Sequence, residues 1–214
     1  MSSQALTRRT FIKAAGVTAA GVALAGVGLG VAATRTPTFD YPEIVLEGET
    51  SMKKRILIAY ATRAGSTAEI AQAIAETLTA RGYAVDVRPV KEKPSLDGCA
   101  AVVLGSAVRM GAWLPEAVNF VQANQAALRA LPVALFTVHM LNTGDDEASQ
   151  TARAAYVNNV LPLLNEAETV YFEGKMDFSR LSFLDRFIAK MVGAVEEDNR
   201  DWKRIHAWAN TVWS

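Results

Sequence analysis

The chain has 214 residues, 50% of them hydrophobic, and its 22 Lys and Arg balance 22 Asp and Glu for a net charge of zero. That balance gives no electrostatic case for nucleic acid as a partner, and the single cysteine, Cys99, excludes an intramolecular disulfide. With neither C-x-x-C nor H-E-x-x-H in the sequence, no metal centre is expected.

At the N-terminus, Arg8 and Arg9 precede Phe11, Ile12 and Lys13, and an uncharged run follows from Ala14 to Ala33. This is an n-region followed by an h-region. The paired arginines with the following Phe resemble the twin-arginine export signal, which implies a periplasmic or other extracytoplasmic destination. The same run, at about 1.5 Å per residue, is also long enough to cross the hydrocarbon core as an anchor. Val31 and Ala33 offer a small-residue pair for cleavage after Ala33, so cleaved signal and retained anchor are both open. Residues 34–52 carry two prolines and scattered acids without a period, and are expected to be a linker, with one domain over 53–214. The first 52 residues remove four charges of each sign, so that domain keeps the balance.

Five β-rich runs follow: RILIAYA (55–61), AVDVRPV (84–90), AAVVLGS (100–106), PVALFTV (132–138) and TVYFEG (169–174). Three are nearly continuous in apolar residues, as in strands buried on both faces. Helical spacing separates them: Ile70, Ile74 and Leu78; Leu114, Val118 and Val121; Ala152, Tyr156, Val160 and Leu163, interrupted by Pro162; and finally Trp202, Ile205, Ala209 and Val212. The alternation predicts an α/β fold with an open, doubly wound, five-stranded parallel sheet and right-handed crossovers. Cys99, abutting the apolar run from Ala100, is expected to be a buried small residue.

The first strand leads into the turn Thr62–Thr67, which lies where ligands bind in such sheets, beyond the carboxyl ends of the strands. Ser66 and Glu69 are spaced as a capping box, so a well-capped helix is one reading. The other is an anion site. Thr62, Ser66 and Thr67 supply hydroxyls, Gly65 permits close backbone approach, and the helix start contributes N–H groups and positive dipole. Neither G-x-x-x-x-G-K-[ST] nor G-x-G-x-x-G is present, which leaves a monophosphate cradle.

The loop ATRAGST resembles the phosphate loop of flavodoxins, and the strand–helix order from 55 to 214 is similar to the flavodoxin fold, whose strand order is 2-1-3-4-5. The segments GSAVRMGAWLPEAVNFV, FTVHMLN, FSRLSFLDRFIAKMVG and DWKRIHAWAN resemble, more closely, the flavodoxin-like, menaquinone-dependent protoporphyrinogen oxidases. The resemblance implies FMN, with Thr62, Arg63, Ala64, Gly65, Ser66 and Thr67 at its phosphate. Arg63 is either a cationic contact or a solvated turn residue. Along one side of the flavin ring the resemblance places Ser106, Ala107, Val108, Arg109, Met110, Gly111 and Trp113, and along another Thr137, Val138, His139 and Asn142. Trp113 is either a stacking partner of the ring or a packing anchor. Gly105 and Gly111 are expected to bring backbone groups close to the ring. His139 is a hydrogen-bonded scaffold residue or a proton carrier at the flavin edge, and His206 is structural.

The resemblance further implies an oxidoreductase that passes electrons from a donor through FMN to a membrane quinone. The alternative is an exported flavodoxin-type carrier that docks to a redox protein and has no substrate of its own. An exported copy can also act on a reductant other than a porphyrinogen. Membrane contact is expected through 14–33 or through 181–192, where Leu181, Phe183, Leu184, Phe187, Ile188, Met191 and Val192 form an apolar stripe beside Arg180, Arg186 and Lys190. The other use of that stripe is packing against the sheet.

Overall fold

The computed structural model describes residues 44–46, 54–191 and 195–213, so the expected signal and its uncharged run at 14–33 lie outside the described residues. In chain order the elements are β1 (Ile44–Leu46), β2 (Arg55–Ala61), α1 (Ser66–Ala80), β3 (Ala84–Pro89), β4 (Cys99–Arg109), β5 (Ala112–Trp113), α2 (Pro115–Ala123), α3 (Gln125–Arg129), β6 (Val133–His139), α4 (Glu147–Ala155), β7 (Ala167–Glu173), β8 (Lys175–Met176), α5 (Phe183–Met191), β9 (Glu197–Asp198) and α6 (Trp202–Thr211).

The five expected strands form one sheet in the order β3-β2-β4-β6-β7, every neighbouring pair parallel. Counted among themselves they run 2-1-3-4-5, as expected. The near-continuous apolar runs are explained by helices on both faces. Along β2, Ile56, Ile58 and Tyr60 enter one core with Ile70, Ile74 and Leu78 of α1 and Ile205 and Ala209 of α6. Leu57, Ala59 and Ala61 enter the other with Ala117, Phe120 and Val121 of α2 and Leu128 of α3. The period of two thus divides each strand between two cores. Cys99 is buried at the start of β4, and burial pushes its thiol upward, away from reactivity.

Three expectations are corrected. The linker expected over 34–52 contributes a strand: β1 pairs antiparallel with β3 through Ile44↔Val87, Val45↔Asp86 and Leu46↔Val85, adding an edge to the sheet. The helix expected across 152–163 is α4 only, ending at Ala155. Its remainder is a turn followed by a single tight turn of helix at Leu161–Leu163, because Pro162 cannot continue an α-helix. The segment Ser106–Trp113 is not a loop but a hairpin, in which Val108 faces Trp113 and Arg109 faces Ala112 across a turn at Met110 and Gly111, both with positive φ.

Residues 181–194 belong to a separate compact unit. Its helix, α5, carries Phe183, Phe187 and Met191 at four-residue spacing, and all three are exposed. Among the described residues no helix is long and apolar enough to cross a membrane.

Candidate functional site at the carboxyl ends of the strands

The chain leaves β2 toward β3 on one side and reaches β4 on the other, so the strand order reverses between β2 and β4 and opens a crevice beyond their carboxyl ends. The turn from Thr62 to Gly65 enters α1 there. Gly65 is the residue that caps the helix, with φ +94, a conformation that favours glycine. Its N–H donates to Thr62 Oγ1 at 3.0 Å, and its carbonyl accepts from Ala68 N and Glu69 N. The capping box does not form as expected, since Ser66 is the first helical residue and no side chain caps the helix. The hydroxyls are thereby left for other use. Thr67 is fully buried and its Oγ1 has no partner.

Arg63, its side chain partly exposed, donates from Nη2 to Glu116 Oε2 at 3.0 Å and ties the turn to the first turn of α2. Glu69 is held from two directions, with Arg180 Nη1 on Oε1 at 2.8 Å and Arg200 Nη1 on Oε2. Burial alone would raise its carboxyl, but hydrogen bonding and charge from Arg200, then Arg180, outweigh that and hold it below the ordinary carboxylate range.

The hairpin after β4 is fixed by its base. Ser106 Oγ accepts from Leu114 N at 3.1 Å and donates to the Ala107 carbonyl. The Trp113 ring, 3% exposed, sits in the core, and its Nε1 donates to Thr137 Oγ1 at 2.8 Å, which is the use of a packing anchor. Gly105 serves packing as well. A Cβ there would lie 2.0 Å from Phe136 Cζ, so the phenyl ring occupies the space that any side chain would need. Ala107 and Val108 are half-buried, while Arg109, Met110 and Gly111 at the tip are exposed.

Beyond β6, His139 is buried and donates from Nδ1 to the Leu141 carbonyl at 2.8 Å, which fixes its tautomer and leaves Nε2 as an acceptor. Burial pushes its pKa down, with Arg153 and Arg204 adding to this and the Leu141 bond opposing it. Val138 is buried in the core beside it. Asn142, with φ +60, donates to Tyr156 Oη at 2.6 Å, Tyr156 Oη donates to the Leu141 carbonyl at 3.2 Å, and Arg153 Nη1 donates to the carbonyls of Asn142 and Gly144. The backbone of this loop is thus held in place while Leu141 stays exposed. His206 accepts or donates at Thr77 Oγ1, at 2.8 Å, on the helix pair α1–α6.

Gly174 and Arg200 were not singled out by the sequence, and Arg180 was read only as part of the basic side of the 181–192 stripe. A Cβ at Gly174 would lie 2.9 Å from Val138 Cγ1 and 3.4 Å from Ser66 Oγ, so this glycine lets the exit of β7 close on the turn. Arg180 and Arg200 stand more than a hundred residues from Glu69, and no local pattern announces such a contact.

A family model described as a flavodoxin domain matches residues 57–203. The chain is similar to the protoporphyrinogen IX dehydrogenase [quinone] of Escherichia coli strain K12, 25% identical over 173 residues that cover 74% of this chain and 94% of that one. It is also similar to the protein of the same name from Leishmania major, 26% identical over 174 residues and 75% of each chain. Among solved structures, the two-electron reduced flavodoxin of Megasphaera elsdenii aligns with 18% identity over 63% of this chain and 98% of its own, with a TM-score of 0.44.

Proposed function

The chain belongs to the flavodoxin-domain family, and from that membership we propose that it is an FMN-dependent oxidoreductase that passes electrons from a reduced donor through the flavin to a membrane quinone. FMN is the cofactor of this fold, and the turn after β2 suits its phosphate. The observation that carries the reading is Thr67: a fully buried hydroxyl without a partner, at the start of a helix whose first N–H groups have none within the helix.

When bound, the flavin supplies the two-electron chemistry. The chain supplies its seat. Thr62 Oγ1 already accepts from Gly65 N–H, so its own proton is available to a phosphate oxygen. Thr67 Oγ1 and Ser66 Oγ extend that donor set, and the dipole of α1 favours the negative charge. Ser106–Trp113 and Thr137–Asn142 would flank the ring, and the hydrogen bonds that brace them would hold their backbone donors and acceptors in place. His139 keeps its Nδ1 proton on a carbonyl and stays uncharged at neutral pH, which makes it a scaffold and not a proton store.

The name carried by the similar E. coli and L. major proteins makes a porphyrinogen the first donor to test. The exposed Phe183, Phe187 and Met191 of α5 support contact with a lipid surface through 181–192, from which a quinone is reached. Arg8 and Arg9 ahead of the uncharged run support export by the twin-arginine route, with a folded flavoprotein as cargo.

The test is anaerobic incubation of the FMN-loaded full chain with protoporphyrinogen IX and a menaquinone analogue, following porphyrin fluorescence. Quinone-dependent appearance of the porphyrin supports the reading. Quinone reduction by the reduced protein with no porphyrinogen turnover would leave a flavin electron carrier. A chain that cannot be loaded with FMN would overturn the proposal. Export is tested by replacing Arg8 and Arg9 with Lys, which should leave the protein in the cytoplasm.

A further inference from the structure

The first turn of α1 holds a carboxylate beside the seat of a phosphate, an arrangement that is unfavourable unless the charge is offset. Glu69 has its two oxygens on two guanidinium groups that follow the paired antiparallel strands β8 and β9, Arg180 after β8 and Arg200 after β9. Arg200 is braced: its side chain is only 6% exposed, Nη2 meets Asp198 Oδ2 at 2.6 Å, and the guanidinium lies 4.5 Å over the Trp202 ring. Arg180 is also 3.7 Å from Asp177.

Arg180 does more than meet Glu69. Its Nη1 lies 3.5 Å from the Ala64 carbonyl, while the N–H at the other side of the same peptide, that of Gly65, donates to Thr62 Oγ1 at 3.0 Å. The Ala64–Gly65 peptide is thus held at its N–H by Thr62 and approached at its carbonyl by the Arg180 guanidinium. Independently, the unpartnered and fully buried Thr67 Oγ1 marks this turn as a place where an acceptor is to be received.

We propose that Arg180, seated on Glu69 and braced through Arg200, is a positioning residue of the phosphate turn that makes the site select a phosphorylated flavin over the unphosphorylated one. This rests on the FMN reading above. Without Arg180 the Glu69 carboxylate keeps one cation instead of two and opposes the phosphate dianion, and the Ala64 carbonyl is released. Riboflavin has no phosphate and meets neither effect.

The experiment titrates the apo full chain with FMN and, separately, with riboflavin, reading quenching of flavin fluorescence, for the unaltered chain, Arg180→Ala, Arg180→Lys and Glu69→Gln. Arg180→Ala is expected to weaken FMN about tenfold or more, the usual scale for a hydrogen bond to a charged group, and riboflavin by less than about twofold. Arg180→Lys keeps the charge and should retain most of the preference. Glu69→Gln removes the charge to be offset, so Arg180→Ala should cost less FMN affinity in that background. Equal weakening of both flavins, or no change in either, would overturn the proposal. If Arg180→Ala does not fold, as judged by the apo thermal midpoint, Arg180→Gln gives the same comparison. An unaltered chain that binds neither flavin overturns the FMN reading itself; one that prefers FMN while Arg180→Ala leaves the preference intact overturns only this inference.

Discussion

Beside the Leu114–Ser106 bond, the base of the β4–β5 hairpin is held by a buried hydrogen bond from Trp113 Nε1 to Thr137 Oγ1 at 2.8 Å. Trp113→Phe keeps an aromatic ring but removes the donor. Thr137 is fully buried, so its hydroxyl loses a partner that water cannot replace, at a cost of about 1–3 kcal/mol. The smaller ring adds a cavity penalty on the order of 1 kcal/mol. The sum, about 2–4 kcal/mol, corresponds to roughly 4–16 °C in Tm for a domain of this size. Thr137→Val leaves the indole N–H unmet and should cost about 1–3 kcal/mol. With both replaced, neither orphan remains, and the double variant should be more stable than the two single losses predict by about 1–2 kcal/mol. Urea unfolding followed by circular dichroism at 222 nm gives all four stabilities. If the losses add to within about 0.5 kcal/mol, the two side chains do not share the bond and the account of the hairpin is wrong.

Gly105→Ala places a methyl group 2.0 Å from the Phe136 ring and should destabilise by about 3 kcal/mol, with part of the loss recovered when Phe136→Leu is added; urea titration decides. Thr67→Val removes a hydroxyl that has no partner in the apo chain, so apo stability should hold or rise by up to about 1 kcal/mol while FMN affinity falls about tenfold, and a calorimetric titration beside a melting curve separates the two effects. Glu69 is held below its ordinary range by its arginines, so its stabilisation is complete above about pH 4.3 and is lost as pH falls toward the depressed value; Glu69→Gln should flatten the acid limb of Tm against pH. His139 is also depressed, chiefly by burial, so protonation of the unfolded chain should erode stability as pH falls below about 6.5, and His139→Asn should remove that slope in the same measurement.

The sheet was legible because its strands are buried on both faces: a run such as Ile56–Tyr60 needs partners above and below, and the helical spacing around it supplies them. The turn proposed for the phosphate stood out because hydroxyls and a glycine are concentrated between a strand and a helix. The capping box misled, because Ser66 and Glu69 have the right spacing one residue too far into the helix, and the left-handed Gly65 sets the boundary. Gly105 misled in the same way. Nothing local distinguishes a glycine kept for a ligand from one kept for the ring of Phe136, its partner across the parallel pair. The Glu69–Arg180–Arg200 clasp was invisible because tertiary contacts over such separations leave no periodic trace.

The short strand β1 alters what can be cut from this protein and how far it can stray. A truncated form beginning at Lys53 would strip β3 of its outer neighbour and uncover a row of unpaired backbone groups, an edge open to chain-to-chain pairing. The same pairing fixes the length of the leash. If the run ending at Ala33 stays in the bilayer, the sheet edge at Ile44 can stand no more than about 40 Å from it, since an extended residue spans at most 3.3–3.6 Å. A linker taken as free to Lys53 would allow nearly twice that reach. An anchored domain would therefore be confined to that distance from the membrane face.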